Sequence, residues 1–195
     1  MLAAGMEQKG HEVEVWSPKP FFHGIASNQS LKKWMGYIDQ YLLFPFNIKS
    51  KIKATPANTL FVFTDHALGP WVPLVSNRHH VIHCHDFLAQ RSALGEIPEN
   101  KTGWTGKRYQ KFIRDGFGRG KHFISISKQT EQELQRFLPI APLSSNVVYN
   151  GLNQRFEIMD KSNARAKLAK QTGLDLSNGL FYTLAEIIFT KTERV

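Results

Sequence analysis

"HHVIHCHDF", residues 79–87, packs four histidines and an aspartate into nine residues. Its middle alternates like a strand, and its end turns polar where a strand would stop. Alternation puts His83 and His85 on one face and Cys84 and Asp86 on the other. Three readings compete for it: a metal site, an acid/base or sugar-gripping site at a strand end, or the end of a buried strand.

The flanking elements decide the setting. "TLFVFTD" (59–65) is a continuous apolar run, as expected of a strand covered on both faces, and His66 follows it. "GPWVPLV" opens a short helix with Pro70 in its first turn. "TGKRYQKFIRDGFGRG" spaces Tyr109, Phe112, Ile113 and Phe117 as a helix closed by glycines at 116, 118 and 120. "KHFISIS" is a further strand. "SKQTEQELQRFLP" is a helix with Ser127 as its N-cap and Glu131 and Glu133 in its first turns. "SSNVVYNG" is a last strand ending at Asn150–Gly151.

Strands and helices alternate, which predicts an α/β fold: a Rossmann-like parallel sheet with helices on both faces. Ligands of such sheets bind outside the carboxyl ends of the strands. His66, His85, Asp86, Ser127 and Asn150 all fall at those ends.

The first residues are consistent with this pattern. "LAAGMEQKGHEVEVWSP" reads as the end of a helix, a turn at Gly10 and a strand Glu12–Trp16 stopped by Pro18. A strand entered from a helix is the second half of a βαβ unit, so the chain reads as starting inside an element. "LKKWMGYIDQYLLFPF" places Leu31, Trp34, Met35, Ile38, Tyr41 and Leu42 at helical spacing, with Pro45 as its end. The basic run Lys49, Lys51, Lys53 follows, so this helix reads either as core packing with a solvated tail or as a membrane- or acceptor-facing surface. After Gly151 a polar helix, "NARAKLAKQTGL", leads into "GLFYTLAEIIFTKTERV".

Composition sets outer limits. The 195 residues are 42% hydrophobic and 12% aromatic, enough for a packed core. The net charge of +9 and pI of about 9.7 favour anionic partners without choosing among them. The single cysteine, Cys84, excludes an internal disulfide and a thiolate metal cluster. No apolar run approaches the roughly 20 residues of a membrane span, and the N-terminus lacks a signal-peptide pattern. These features give a cytoplasmic expectation, with a peripheral contact at the inner membrane face open.

Against metal, His83 and His85 lack a fixed third ligand, and Asp86 directly follows His85 where binuclear hydrolases space them apart. No metal and no cofactor is expected. His83, one pleat inside the strand, fits a structural role; His85 and Asp86, at the exit, fit a sugar- or phosphate-facing role, with Arg91 able to meet an anion. "GFGRGK" follows a helix and precedes a strand, the wrong order for a phosphate cradle. No phosphate loop or G-x-S-x-G elbow is present.

"GHEVEVWSP", "DQYLLFP", "VIHCHDF", "FISISKQTEQEL" and "VVYNGLNQRF", in this order, resemble the N-terminal half of a GT-B glycosyltransferase of family 4, the retaining nucleotide-sugar enzymes. The resemblance covers roughly residues 5 to 160. It implies an acceptor-binding domain at 1–155, an interdomain helix at 156–179, and the start of a donor domain at 180–195. It implies His85 and Asp86 at the reaction centre, and His66, Arg91, Ser127 and Lys128 toward the acceptor. Asn150 and Gly151 would mark the crossing between domains. The implied partners are a sugar, glycan or lipid acceptor and a nucleotide-sugar donor held by another domain, with no nucleic acid. Two alternatives are kept: a basic α/β module binding nucleic acid or anionic membrane, and half of another sugar-nucleotide enzyme such as an epimerase.

The C-terminal tail departs from that pattern. One permitted back-translation of "FYTLAEIIFTKTER", read two bases on, gives "LYVGGNHFYKNR", which resembles the opening of a donor domain. The expectation is a frame change near Phe181. DNA sequencing across that codon is expected to spell the shifted motif; bases that cannot encode it overturn the idea.

Overall fold

A computed structural model describes residues 2–25, 28–151 and 158–176. The chain divides into two units: residues 1–97 with 101–149, and residues 98–100 with 150–195.

The first unit is built on a parallel sheet of four strands in the order β1-β2-β3-β4. They are β1 (Phe61–Phe63), β2 (His80–Cys84), β3 (His122–Ser125) and β4 (Ser144–Val147). The register places Phe63 beside Ile82, Ile82 beside Phe123, and Cys84 beside Ser125. Hydrogen bonds from Ile126 N–H to Cys84 O (3.1 Å) and from Val148 N–H to Ser125 O (2.9 Å) carry the pairing past the strand ends.

The connections are a 3-10 helix (His66–Val75) from β1 to β2, then α5 (Leu88–Leu94) and α6 (Trp104–Phe117) to β3, then α7 (Lys128–Phe137) to β4. All three crossovers step in one direction, and right-handed connections put such crossovers on one face. The burial agrees. Phe63, Ile82, Cys84, Phe123 and Ser125 point to one face and are buried with Ile113, Phe117 and Leu134. The other face carries Val62, Val81, His83, His85 and Ile124, none of them buried. The Rossmann-like α/β sheet expected from the alternation is therefore present, with its two faces unequally covered.

Before β1 come α1 (Leu2–Glu7), α2 (Phe22–Ile25), α3 (Gln29–Ile38), a π-helical turn (Asp39–Leu43) and α4 (Phe44–Ala54). Two expectations fail here. Residues 12–16 form no strand. A strand exists through its ladder, and among the described residues none pairs with these; instead Glu14 meets Lys51, and Trp16 packs edge-on against Phe61 at 5.8 Å. Pro45 does not end the helix. It lies in the first turn of α4, just after the π turn, where a missing N–H is tolerated. Inside that turn the buried Asp39 carboxylate accepts the backbone N–H groups of Phe21, Phe22 and His23 at 2.9–3.0 Å, tying the incoming chain down. Those three bonds hold its carboxyl below the usual range against the opposing effect of burial. β1 is also shorter than its apolar run, and Val62 remains 40% exposed, so the strand is buried on one side only.

The glycines of "GFGRG" serve packing rather than a left-handed turn, since none of the three has positive φ. A Cβ on Gly116 would lie 2.3 Å from Gly69 O, and one on Gly69 would lie 2.3 Å from Ile113 O. The 3-10 helix and α6 thus cross backbone against backbone. A Cβ on Gly120 would meet Ile82 Cδ1 at 2.4 Å.

In the second unit, α8 (Lys161–Thr172) begins at Asp160, whose Oδ1 accepts from Ser162 N–H (2.9 Å) and Asn163 N–H (3.1 Å). It ends at Gly173, in the left-handed region at φ 72°. The tail expected to open a donor domain at 180–195 lies outside the described residues.

Gly116→Ala is expected to cost about 3 kcal/mol, the upper range of overpacking, because the obstruction is backbone that cannot rotate away. Urea unfolding of the variant checks this; a loss below about 0.5 kcal/mol would mean the crossing is looser than described.

Candidate functional site

The carboxyl ends of β1, β2 and β3 bring together most of the residues singled out from sequence. β2 ends at Cys84, and His85 and Asp86 follow it out of the sheet. Phe87 then turns back and is fully buried, packed on His66 (4.5 Å), Phe137 (5.3 Å) and Phe117 (5.8 Å). That ring is the anchor. It fixes the strand exit, so the two polar residues before it project at the sheet edge.

His85 is held from both sides. Its Nε2 lies 2.9 Å from Thr64 O, at the end of β1. A carbonyl only accepts, so Nε2 carries the proton and Nδ1 of the neutral ring is an acceptor. On the other side the Thr130 hydroxyl donates to His85 O at 3.1 Å, linking β2 to the start of α7. Asp86 accepts from Leu88 N–H with Oδ1 (3.0 Å), starting α5, which leaves Oδ2 for a donor outside this turn.

His66 sits behind them, buried against Phe87. Asp65 Oδ1 is 3.2 Å from its Nδ1, yet the geometry is not that of a hydrogen bond, and the same oxygen caps the 3-10 helix by accepting Ala67 N–H at 2.6 Å. Burial pushes the His66 imidazole below its ordinary range and His85 adds to this; Asp65 and Asp86 pull the other way. Burial and the neighbouring His85 also lower His83.

The remaining expected site residues fall into three situations. Ser127 Oγ caps α7, accepting from Thr130 N–H at 3.1 Å and sharing a bond with Thr130 Oγ1 at 2.9 Å. Lys128 is exposed as the first residue of α7, where its charge opposes the helix dipole, so helix stability does not account for it. Arg91 faces Glu133 (Nη1, 3.1 Å) and Glu96 (Nε, 3.4 Å), so an incoming anion would compete with two carboxylates. Asn150 and Gly151 are exposed and belong to the second unit.

His83, expected to be structural, is only half-buried, with its ring 6.3 Å from that of His85 on the same sheet face. The fully structural histidine is His80. It accepts from Lys121 N–H with Nε2 (3.1 Å) and donates through Nδ1 to Arg78 O (2.8 Å). Cys84 is fully buried, and burial pushes its thiol up to about 12. Among the described residues no group of three or more His, Cys, Asp or Glu is placed to hold a metal ion. The larger described cavity, about 650 Å³, lies elsewhere, lined by residues 15–21 and α4. Thr64 and Thr130 escaped the sequence reading. Thr64 acts through its backbone, which no side-chain pattern reveals. Thr130, three residues after an N-cap serine, was open to recognition as part of the cap.

A four-stranded parallel sheet with helical crossovers, with an imidazole and a carboxylate following the end of β2, is an α/β fold of the Rossmann-like class. The family described as Glycosyltransferase Family 4 matches residues 1–156, and the chain belongs to that family, as its N-terminal-type domain. Comparison with curated proteins and with solved structures gives no match.

A depressed His66 makes stability pH-dependent. The unfolded imidazole, near pKa 6.5, takes up a proton more readily than the folded one. The contribution is therefore complete above that value and lost as pH falls through the folded pKa, and His83 acts in the same direction. His66→Phe is expected to flatten the fall in unfolding free energy between about pH 7.5 and 5. An unchanged slope in urea titrations would contradict it.

Proposed function

We propose that this chain is the acceptor-binding half of a retaining, nucleotide-sugar-dependent glycosyltransferase of GT-B architecture. The family membership supports the transferase class. The observation that carries the site is the His85 ring, held by Thr64 O through Nε2 with Nδ1 unengaged at the sheet edge. Nδ1 accepts from a sugar hydroxyl when neutral, and donates to an anionic oxygen when protonated. Asp86, next to it, takes a second hydroxyl. Lys128, His66, Ser127 and Arg91 form the acceptor side, with Lys128 the exposed charge and the other three mainly shaping the wall. Asn150 and Gly151 mark the crossing to the donor-binding part.

Electrostatic stabilisation of the leaving diphosphate is the largest contribution to such a transfer. We assign that task to a separate donor-binding part, so residues 1–195 alone have negligible turnover. The reaction needs no metal in this reading. The partners are a glycan or lipid-linked acceptor and the nucleotide sugar, and the place of work is the cytoplasm, in peripheral contact with the membrane. Among the described residues no helix is long and apolar enough to cross it.

Purified chain incubated with UDP-glucose, UDP-galactose or GDP-mannose is expected to release nucleotide at the buffer rate. Complementation with a separately expressed family 4 donor domain is expected to raise release, and His85→Ala to cut that gain by about tenfold, the worth of one lost hydrogen bond to a charged or reacting group. Turnover by the chain alone, or an undiminished gain with His85→Ala, would overturn the assignment.

A further inference from the structure

The helical run from α3 through the π turn to α4 is apolar on two sides. One side packs inward through Phe44 and Ile52, both buried. The other side is a stripe of Leu31, Trp34, Ile38, Leu42 and Phe46, spaced three or four residues apart, all exposed except the half-buried Ile38. Leu31 is 39% exposed, Trp34 58%, Leu42 67% and Phe46 76%. A helix apolar on both sides is normally covered on both. This stripe runs roughly 22 Å at the helical rise.

Its charge indicates what covers it. Lys49 and Lys53 continue the same spacing and are exposed. From residue 28 to 54 the only acidic residue is Asp39, which is buried and already bonded to three backbone N–H groups. An apolar stripe flanked by unopposed lysines matches a lipid surface bearing anionic headgroups. Apolar side chains enter the acyl boundary, tryptophan sits at the interface, and lysines reach back to phosphate. A second copy of the chain fits less well, since it would bring together two chains of net charge +9.

We propose that Leu31, Trp34, Leu42 and Phe46, continued by Lys49 and Lys53, form a docking face for an anionic membrane. It rests on the peripheral contact proposed above and names the surface that makes it. The face lies in the first unit, whose β2 end carries His85 and Asp86, so docking would hold the candidate site close to a lipid-borne acceptor.

The test uses the full chain with vesicles of phosphatidylcholine alone or with about a third phosphatidylglycerol, a composition that supplies a negative surface potential. Sedimentation is expected to show binding to the anionic vesicles only, lost at about 0.5 M salt where the charges are screened. Brominated acyl chains are expected to quench fluorescence in the native chain, and less in Trp34→Tyr. Lys49→Gln and Lys53→Gln are expected to weaken partition by about fivefold each. Leu42→Gln with Phe46→Gln, both at exposed positions, is expected to abolish it while leaving the circular dichroism spectrum unchanged. Lys107→Gln with Lys111→Gln, on α6, serves as the charge control and is expected to bind better than the Lys49, Lys53 pair.

Absence of binding to anionic vesicles overturns both the contact and the surface. Binding that survives the Leu42, Phe46 change, or that falls equally with the α6 control, overturns the surface alone. A dimer by light scattering that dissociates in Phe46→Gln would give the stripe to a second copy and also overturn the proposal.

Discussion

The first unit depends on a place where two backbones touch. Gly69 in the 3-10 helix and Gly116 in α6 meet with no room for a Cβ on either. This closeness seats Phe117, one residue further along α6, against both Phe87 and His66. Phe87 in turn decides where β2 leaves the sheet. A contact at the base of the crossovers therefore sets the position of His85 and Asp86. Fully burying a phenylalanine such as Phe87 contributes about 2–3 kcal/mol, enough to hold a strand exit that the two polar residues before it would not hold alone.

Around that anchor the histidines separate by environment. His80 has both ring nitrogens satisfied inside the fold. His66 is buried beside carboxylates without a hydrogen bond at Nδ1, and burial pushes its imidazole below the ordinary range. His85 alone has one nitrogen fixed by Thr64 and the other unengaged. Cys84, between His83 and His85, points into the core as a protonated thiol.

Much of this was legible in the sequence. The alternation of apolar runs and amphipathic helices predicts a parallel sheet, and the strand-end rule selects His66, His85, Asp86 and Ser127. Ser127 as an N-cap follows from its place before "KQTE". What local pattern misses depends on partners distant in sequence. "HEVEVW" alternates correctly but, among the described residues, no strand pairs with it, and it forms no strand. Pro45 reads as a helix end because the π turn before it is invisible to a 3.6-residue period. The glycines of "GFGRG" read as a turn, and only the tertiary crossing shows that Gly116 is needed for its missing side chain. Arg91 looks available until Glu96 and Glu133 are placed beside it.

Every role proposed for the His85 ring needs Nδ1 as the outward atom. Long-range proton–nitrogen NMR of the histidine side chains reads this directly, with the His85 signals assigned from their loss in His85→Gln. At neutral pH the account predicts the Nε2–H tautomer for His85, with the Nδ1 resonance shifting when sugar binds. An Nδ1–H tautomer, or an Nδ1 resonance indifferent to every sugar and nucleotide sugar offered, would contradict it.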